Sequence, residues 1–352
     1  MLRRQLVKRY GGRIRVGQPT MEDVANRAGV SRALVSLVMR NSPKVSDHSR
    51  AAVLAAADEL GYRPNLMARN LASRKTMTIG LVLNDLHNPF FAEIADGIHE
   101  AAIAAGYRTV INTGRRSADG DRAAADTFPE FRTDGIILVG PWLDRPEMER
   151  LARETNLVVV ARTVESDRFD TVNVDERVGG HLIVDHLAGL GHRHIAYIDG
   201  GEGSGAVERR SGYLEGMTAN DLDDHVTIVG GTYDDTAGTK GVEELLAGDA
   251  MPTAIFAGND VMALSALDRL EDEGLSVPDD VSLVGFDNTS IAAMHHIGLT
   301  SVDQPRLVLG ALAVQSLVER IEQRRTEPMH HVVAPTLVTR TTSGPAPEVT
   351  AS

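Results

Sequence analysis

The sequence predicts an α/β protein in two parts: an all-α helix-turn-helix domain at the amino terminus and a two-lobed body of doubly wound parallel sheets. Three observations predict it. At 352 residues, 42% of them hydrophobic and 24% charged, the chain is long enough for two or three domains with sizeable cores. From Thr20 to Gly61 apolar residues recur at helical spacing in three short blocks. From Met77 onward short β-rich runs alternate with amphipathic helical blocks, the rhythm of parallel strands wrapped by helices.

Residues 1–18 form a basic leader with Arg3, Arg4, Lys8, Arg9, Arg13 and Arg15, expected to be disordered. It lacks the apolar core and small-residue cleavage site of a secretory signal. No apolar run reaches the roughly 18 residues of a membrane span, and there is no cysteine, so a cytoplasmic protein without membrane association is expected. The missing cysteines also exclude thiol nucleophiles and thiolate metal sites.

The blocks MEDVANRAG, SRALVSLVM and SRAAVLAAADELGY fall within residues 19–63 and predict three compact helices. Thr20 with Asp23 three residues on forms a capping box, Gly29 can end the first helix left-handed, and Ser31 can cap the second. Val24, Ala25, Ala28, Val30, Val35 and Val38 supply the small apolar faces that let two helices cross closely. Charge is split to match. Residues 1–75 hold fifteen Lys/Arg against five Asp/Glu, a balance of +10, whereas 76–352 carry −23 of the total −13. A basic module facing a polyanion, attached to an acidic body, fits that asymmetry.

The stretch TMEDVANRAGVSRALVSLVMRNSPKVSDHSRAAVLAAADELGYRPNLMARNLA resembles the helix-turn-helix and hinge of lactose-repressor (LacI/GalR) family transcription regulators, with DVA, AGVS, VS, KVS, ELGYRPN and A-R-x-L in order. The resemblance implies a recognition helix starting at Ser31, with Arg32 and Ala33 touching base edges of double-stranded operator DNA. Thr20, Ser31, Ser36, Arg40, Asn41, Ser46 and His48 complete the implied contact set, mostly to phosphates. Leu34 stands where the family has a small polar residue and Leu37 where it has arginine, so either the operator differs at that base or Arg40 substitutes from the next turn. Residues 64–75 resemble the hinge helix, in which Asn65 and Ala68 follow the family register and Leu71 matches a minor-groove wedge.

In the body, TIGLVL, YRTVINT, GIILV, LVVVA, HIAYID, HVTIVG, TAIFAG and VSLVGF read as strands. They exceed one comfortable sheet, and a change of unit near VNVDERVGGHLIVDHL implies a second, similarly built lobe and hence a cleft. Ligands of such sheets sit beyond the carboxyl ends of strands, where Asp85, Asn88, Phe90, Arg162, Asn259, Asp260, Asp287, Asn288 and Gln304 stand. Asp260 and Asn288 can equally cap the helices that follow. The matches DLHNPFF, DGIIL, GHRHIAYI, AIFAGNDVMA and VSLVGFDN make the body, too, similar to the effector domain of the same regulators, which is periplasmic-binding-protein-like. That resemblance implies Arg209, Asn259 and Asp287 as effector contacts, Arg209 offering a two-bond fork and Asp287 accepting two, a set suited to a sugar, polyol or nucleoside.

The boundaries expected are an effector domain over 76–340, with one lobe from 76–173 plus 305–329 and the other from 174–304 plus 330–340, and a disordered tail over 341–352. The tail has no leucine heptads, so a homodimer on a palindromic site is expected. GGEGSGAV matches no phosphate-loop pattern and reads as a flexible cleft loop; His181, His186, His192 and His194 cluster in sequence, but the i, i+5 spacing of the first two puts them on different helical faces; no metal, cofactor or catalytic constellation is expected. The reading is a non-enzymatic repressor under allosteric effector control. Its rivals are a purine-type corepressor-dependent regulator, a sugar-binding protein without regulatory role, and an enzyme acting in the cleft.

Overall fold

The computed structural model describes residues 19–40, 42–63 and 75–348, and the chain divides into two compact units, Met1–Lys75 and Thr76–Ser352. In the first, α1 (Met21–Ala28), α2 (Arg32–Met39) and α3 (Asp47–Glu59) enclose Val24, Val35 and Val53, all fully buried. The local signals act as the sequence implies. Thr20 and Asp23 exchange both capping-box bonds, Gly29 closes α1 at φ 65°, and Ser31 and Ser46 cap α2 and α3 by accepting from Leu34 N and Ser49 N. Leu34 and Leu37, the two departures from the family pattern, pack partly buried against this core. That burial accounts for leucine there without any base contact.

The second unit holds two six-stranded sheets. The first runs β11-β5-β4-β3-β1-β2 and is wholly parallel; its strands are β1 (Thr78–Leu83), β2 (Arg108–Thr113), β3 (Gly135–Val139), β4 (Asn156–Val160), β5 (Asp170–Val174) and β11 (His330–Val333). The second runs β12-β10-β9-β8-β6-β7, from β6 (Ile195–Ile198), β7 (Thr227–Val229), β8 (Ala254–Ala257), β9 (Ser282–Asp287), β10 (Thr300–Asp303) and the antiparallel edge strand β12 (Thr336–Val338). Near-continuous apolar strands, GIILV and AIFA among them, are buried on both faces, as parallel sheets require.

The chain crosses between lobes three times, after β5, after β10, and between β11 and β12. The helix after β10, Arg306–Ile321, returns to the first lobe and lies on Pro89–Ala104 with backbones almost touching: a Cβ on Gly97 would sit 2.7 Å from Leu307 O, and one on Gly310 2.5 Å from Ile98 N. Two boundaries differ from expectation. Residues 330–333 belong to the first lobe, because His330–Val333 adds in parallel to β5 and supplies its outer backbone partners. Residues 341–348 are not a disordered tail: Thr342 is buried, its Oγ1 donating to Leu283 O and accepting from Thr300 N, while Gly344 N donates to Ser282 Oγ.

Candidate functional site

In each sheet the strand order reverses beside the first strand of the lobe, β1 between β2 and β3 and β6 between β7 and β8, so crevices open at their carboxyl ends. The two crevices face one another in a cavity of about 540 Å³, counting its open mouth. Of the expected residues it brings together Asp85, Asn88, Phe90, Arg209, Asn259, Asp287 and Gln304. Arg162 is not on its lining. The Arg162 guanidinium turns back to Pro141 O at 2.8 Å, within hydrogen-bond reach of the turn that follows β3.

Local chemistry fixes these side chains. Asn88 Oδ1 accepts from Phe90 N and caps the helix Pro89–Ala104; Asn259 Oδ1 accepts from Met262 N at 2.8 Å and caps Asp260–Asp272. Asn259, not Asp260, is thus the cap. Asp260 is buried behind it, accepting from Ser301 Oγ at 2.6 Å and from Thr289 N and Oγ1 at 2.7 and 2.9 Å. Asn288 caps nothing: at φ 51° it links Asp303, to which its Nδ2 donates, and Arg340, which donates to its Oδ1. Burial pushes the Asp260 carboxyl up to about 6, against the hydrogen bonds that favour its ionised form.

Arg209, 3% exposed on Ala206–Ala219, does not present a free fork to the cavity as the sequence implied. Its Nε and Nη2 both donate to Glu176 Oε2, at 3.1 and 2.6 Å, and Nη1 donates to Gly258 O. The Phe286 ring lies 3.5 Å from its guanidinium carbon and Tyr233 5.2 Å away. Burial works against this cation, but Glu176, with the further negative charge around it, holds it more firmly protonated than an ordinary arginine. Asp287 accepts from Gln304 Nε2 at 2.7 Å; burial first, then the neighbouring Asp260, drive its carboxyl well above the usual range.

Sequence reasoning missed Glu176, Asn84, Arg116, Trp142 and Tyr233 on this lining. Trp142, the single tryptophan, carried a signal in following the strand GIILV; its Nε1 donates to Asn84 Oδ1 at 2.8 Å, and its N to the buried Asp121 at 2.5 Å. Gly203 and Ser204 place the glycine-rich stretch at the cavity, with Ser204 Oγ donating to Ala161 O across the cleft. The four histidines have separate partners: His181 faces Asp185, His186 Ser343, His192 Thr253 and Ser282, His194 Thr227.

In the helical unit Arg32 and Ala33 stand exposed in the first turn of α2, and Thr20, Ser31 and Ser46 are exposed caps. Ser36 is half-buried and its carbonyl accepts from Arg40 Nε at 3.2 Å. Asn41, Asn65, Ala68 and Leu71, with the hinge, lie outside the described residues. Among those described, no helix is long and apolar enough to cross a membrane.

A helix-turn-helix unit and a two-lobed α/β unit with a polar interlobe cavity together make a DNA-binding regulator that answers to a ligand. Comparison with known proteins agrees. Residues 20–65 match the model of bacterial regulatory proteins of the lacI family, and 184–343 the periplasmic binding protein-like domain. Catabolite control protein A of Priestia megaterium is 35% identical over 312 residues, 88% of this chain and 94% of that protein. The lac repressor dimer bound to operator and the anti-inducer ONPF is 27% identical with a TM-score of 0.83, covering 93% of this chain and all of that one. The transcriptional regulator CelR in complex with cellobiose is 33% identical, TM-score 0.69, over 92% of this chain and 99% of that one. The chain belongs to the LacI family of transcriptional regulators.

Proposed function

We propose that this regulator is a dimeric cytoplasmic repressor in which residues 19–63 read operator DNA, 64–75 form the hinge, and 76–340 bind a small polyhydroxylated effector without turning it over. The observation that carries the effector reading is the cavity itself. Six polar or aromatic side chains expected at strand ends, and Arg209 expected from the family resemblance, line one cavity between two lobes, and a ligand held by both lobes must bias their arrangement. The cellobiose complex of the relative CelR supports a carbohydrate. Arg32, free at the start of α2, is the residue assigned to a guanine, where a bidentate contact gives about 1–3 kcal/mol of discrimination.

The test is a fluorescence-anisotropy titration of the full-length protein with DNA from its own upstream region, at fixed salt, repeated with a panel of sugars, polyols and nucleosides. A shift in affinity with a sugar or polyol is the expected result, and its direction separates inducer from corepressor. Specific DNA binding that only a nucleoside shifts would replace the carbohydrate with a purine-type effector.

A further inference from the structure

The inner cavity is short of positive charge. Asp287, 3% exposed, has one amide donor and no ion-pair partner among the described residues. Arg209 is spent on Glu176 and Gly258 O, and Arg306 reaches the Asp287 main-chain carbonyl while pairing with Glu93 and Asp303. Arg116, the other guanidinium on the lining, donates to Thr232 O and faces Asp234 at 3.7 Å. Behind Asp287 lies the buried Asp260, a second carboxylate. On the same wall Gln304, 1% exposed, leaves its Oε1 buried with no hydrogen-bond partner.

A buried carboxylate without a cation and a buried amide oxygen without a donor are each costly, and both costs vanish if one ligand group brings a positive charge and several N–H bonds. A neutral hydroxyl supplies one donor and no charge; a phosphate adds like charge. Phe90, Trp142 and Tyr233 are aromatic residues on the same lining.

We propose that the effector carries a protonated amine, as an amino sugar or amino polyol does, with its ammonium against Asp287 and Gln304, and that Glu176 sets this preference by occupying Arg209. This rests on the carbohydrate-effector reading above. The groups facing Asp287 are Arg209 and Glu176 from their two packed helices, Tyr233 from the loop after β7, Asp260, and Arg306, which donates to the Asp287 carbonyl. With Asp287 uncompensated, the ligand-free protein loses stability as pH rises, since the folded carboxyl holds its proton more tightly than the unfolded one.

Two measurements on the full-length protein decide it. In thermal melts at pH 8 without ligand, Asp287→Asn should melt above the wild type. No gain in that variant overturns the charge deficit. In calorimetric titrations with the pairs D-glucosamine and D-glucose, D-galactosamine and D-galactose, and glucamine and sorbitol, the amine of any binding pair should be tighter by about tenfold to a hundredfold. Glu176→Gln should narrow that gap. A neutral member that binds as tightly as its amine, or a sugar phosphate that binds, overturns the amine while leaving the carbohydrate reading intact. Binding by nucleosides alone removes both, and if no pair binds, the melts decide.

Discussion

At the scale of single residues, the site separates what a strand end announces from what only a long-range contact can make. Asn259 and Asp287 stand where AIFAG and VSLVGFD run out of apolar residues, so their position was legible. Glu176 was not. As the first residue of its helix it reads as an acid placed on the positive end of a helix dipole, and only the fold brings Arg209, 33 positions on, onto it. Asp121 was equally silent within ADGDRAAAD, yet it is fully buried and receives Trp142 N at 2.5 Å, with its Oδ1 unpartnered. Burial pushes its carboxyl up to about 6 from 3.8, against the backbone bonds from Trp142 and Leu143 and the charge of Arg162. Raised in the folded state, this carboxyl binds its proton more tightly folded than unfolded, so its contribution to stability falls as pH climbs from about 4 to about 6. Asp121→Asn cannot ionise. The melting temperature of the wild type relative to this variant should therefore drop over that window and level off above it; a difference that stays constant, or grows with pH, shows that Asp121 ionises freely.

Elements were legible where local chemistry and periodicity agree. The capping box at Thr20, the left-handed Gly29 and the cap at Ser31 lie within twelve residues and need no tertiary help, so α1 and α2 follow directly from sequence. The short edge strands β11 and β12 and the segment 341–348 were not legible, for the opposite reason. HHVV and TLV are too brief to show alternation, and the residues after them hold on through bonds to Ser282, Leu283 and Thr300, which sequence spacing cannot display. Helix packing shows a similar blind spot. Gly97 and Gly310 let Pro89–Ala104 and Arg306–Ile321 meet backbone to backbone, in a contact that buries Leu309, Ala313 and Leu317 against the first sheet. Gly310→Ala puts a methyl 2.5 Å from Ile98 N, where backbone and not a flexible side chain must yield. Overpacking of this kind costs about 1–3 kcal/mol, more than alanine's better helix propensity returns. The variant should melt lower than the wild type in calorimetry, and an unchanged or higher melting temperature shows that the helices part without cost.

For the whole molecule, the charge split and the two-lobed rhythm are the features that sequence carries best, because they average over many residues: +10 over residues 1–75 and −23 over the remainder are sums no single contact can alter. What sequence does not carry is which arrangement of the lobes a ligand prefers. That depends on contacts made across the cleft, such as Ser204 to Ala161 and Arg116 to Thr232 and Asp234, which join distant stretches of chain. Three crossings between the lobes make their arrangement a property of the whole unit, so an effector seated in the cavity can act on operator binding only through the difference in its affinity for two such arrangements. The same free energy must then appear at both ends. An effector that weakens operator binding about tenfold, roughly 1.4 kcal/mol, must itself bind about tenfold more weakly to the operator complex than to the free protein. The check is calorimetric titration of the effector into free and operator-saturated protein, set against the anisotropy shift at the same ionic strength. Matching salt is essential, because the basic amino-terminal region makes every DNA affinity salt-dependent while a ligand buried between the lobes is screened far less. Equal factors are the expected outcome, and both should vanish together in Asp287→Ala with DNA binding kept; an anisotropy shift that survives in that variant means that the cavity between the sheets is not the control point of this regulator.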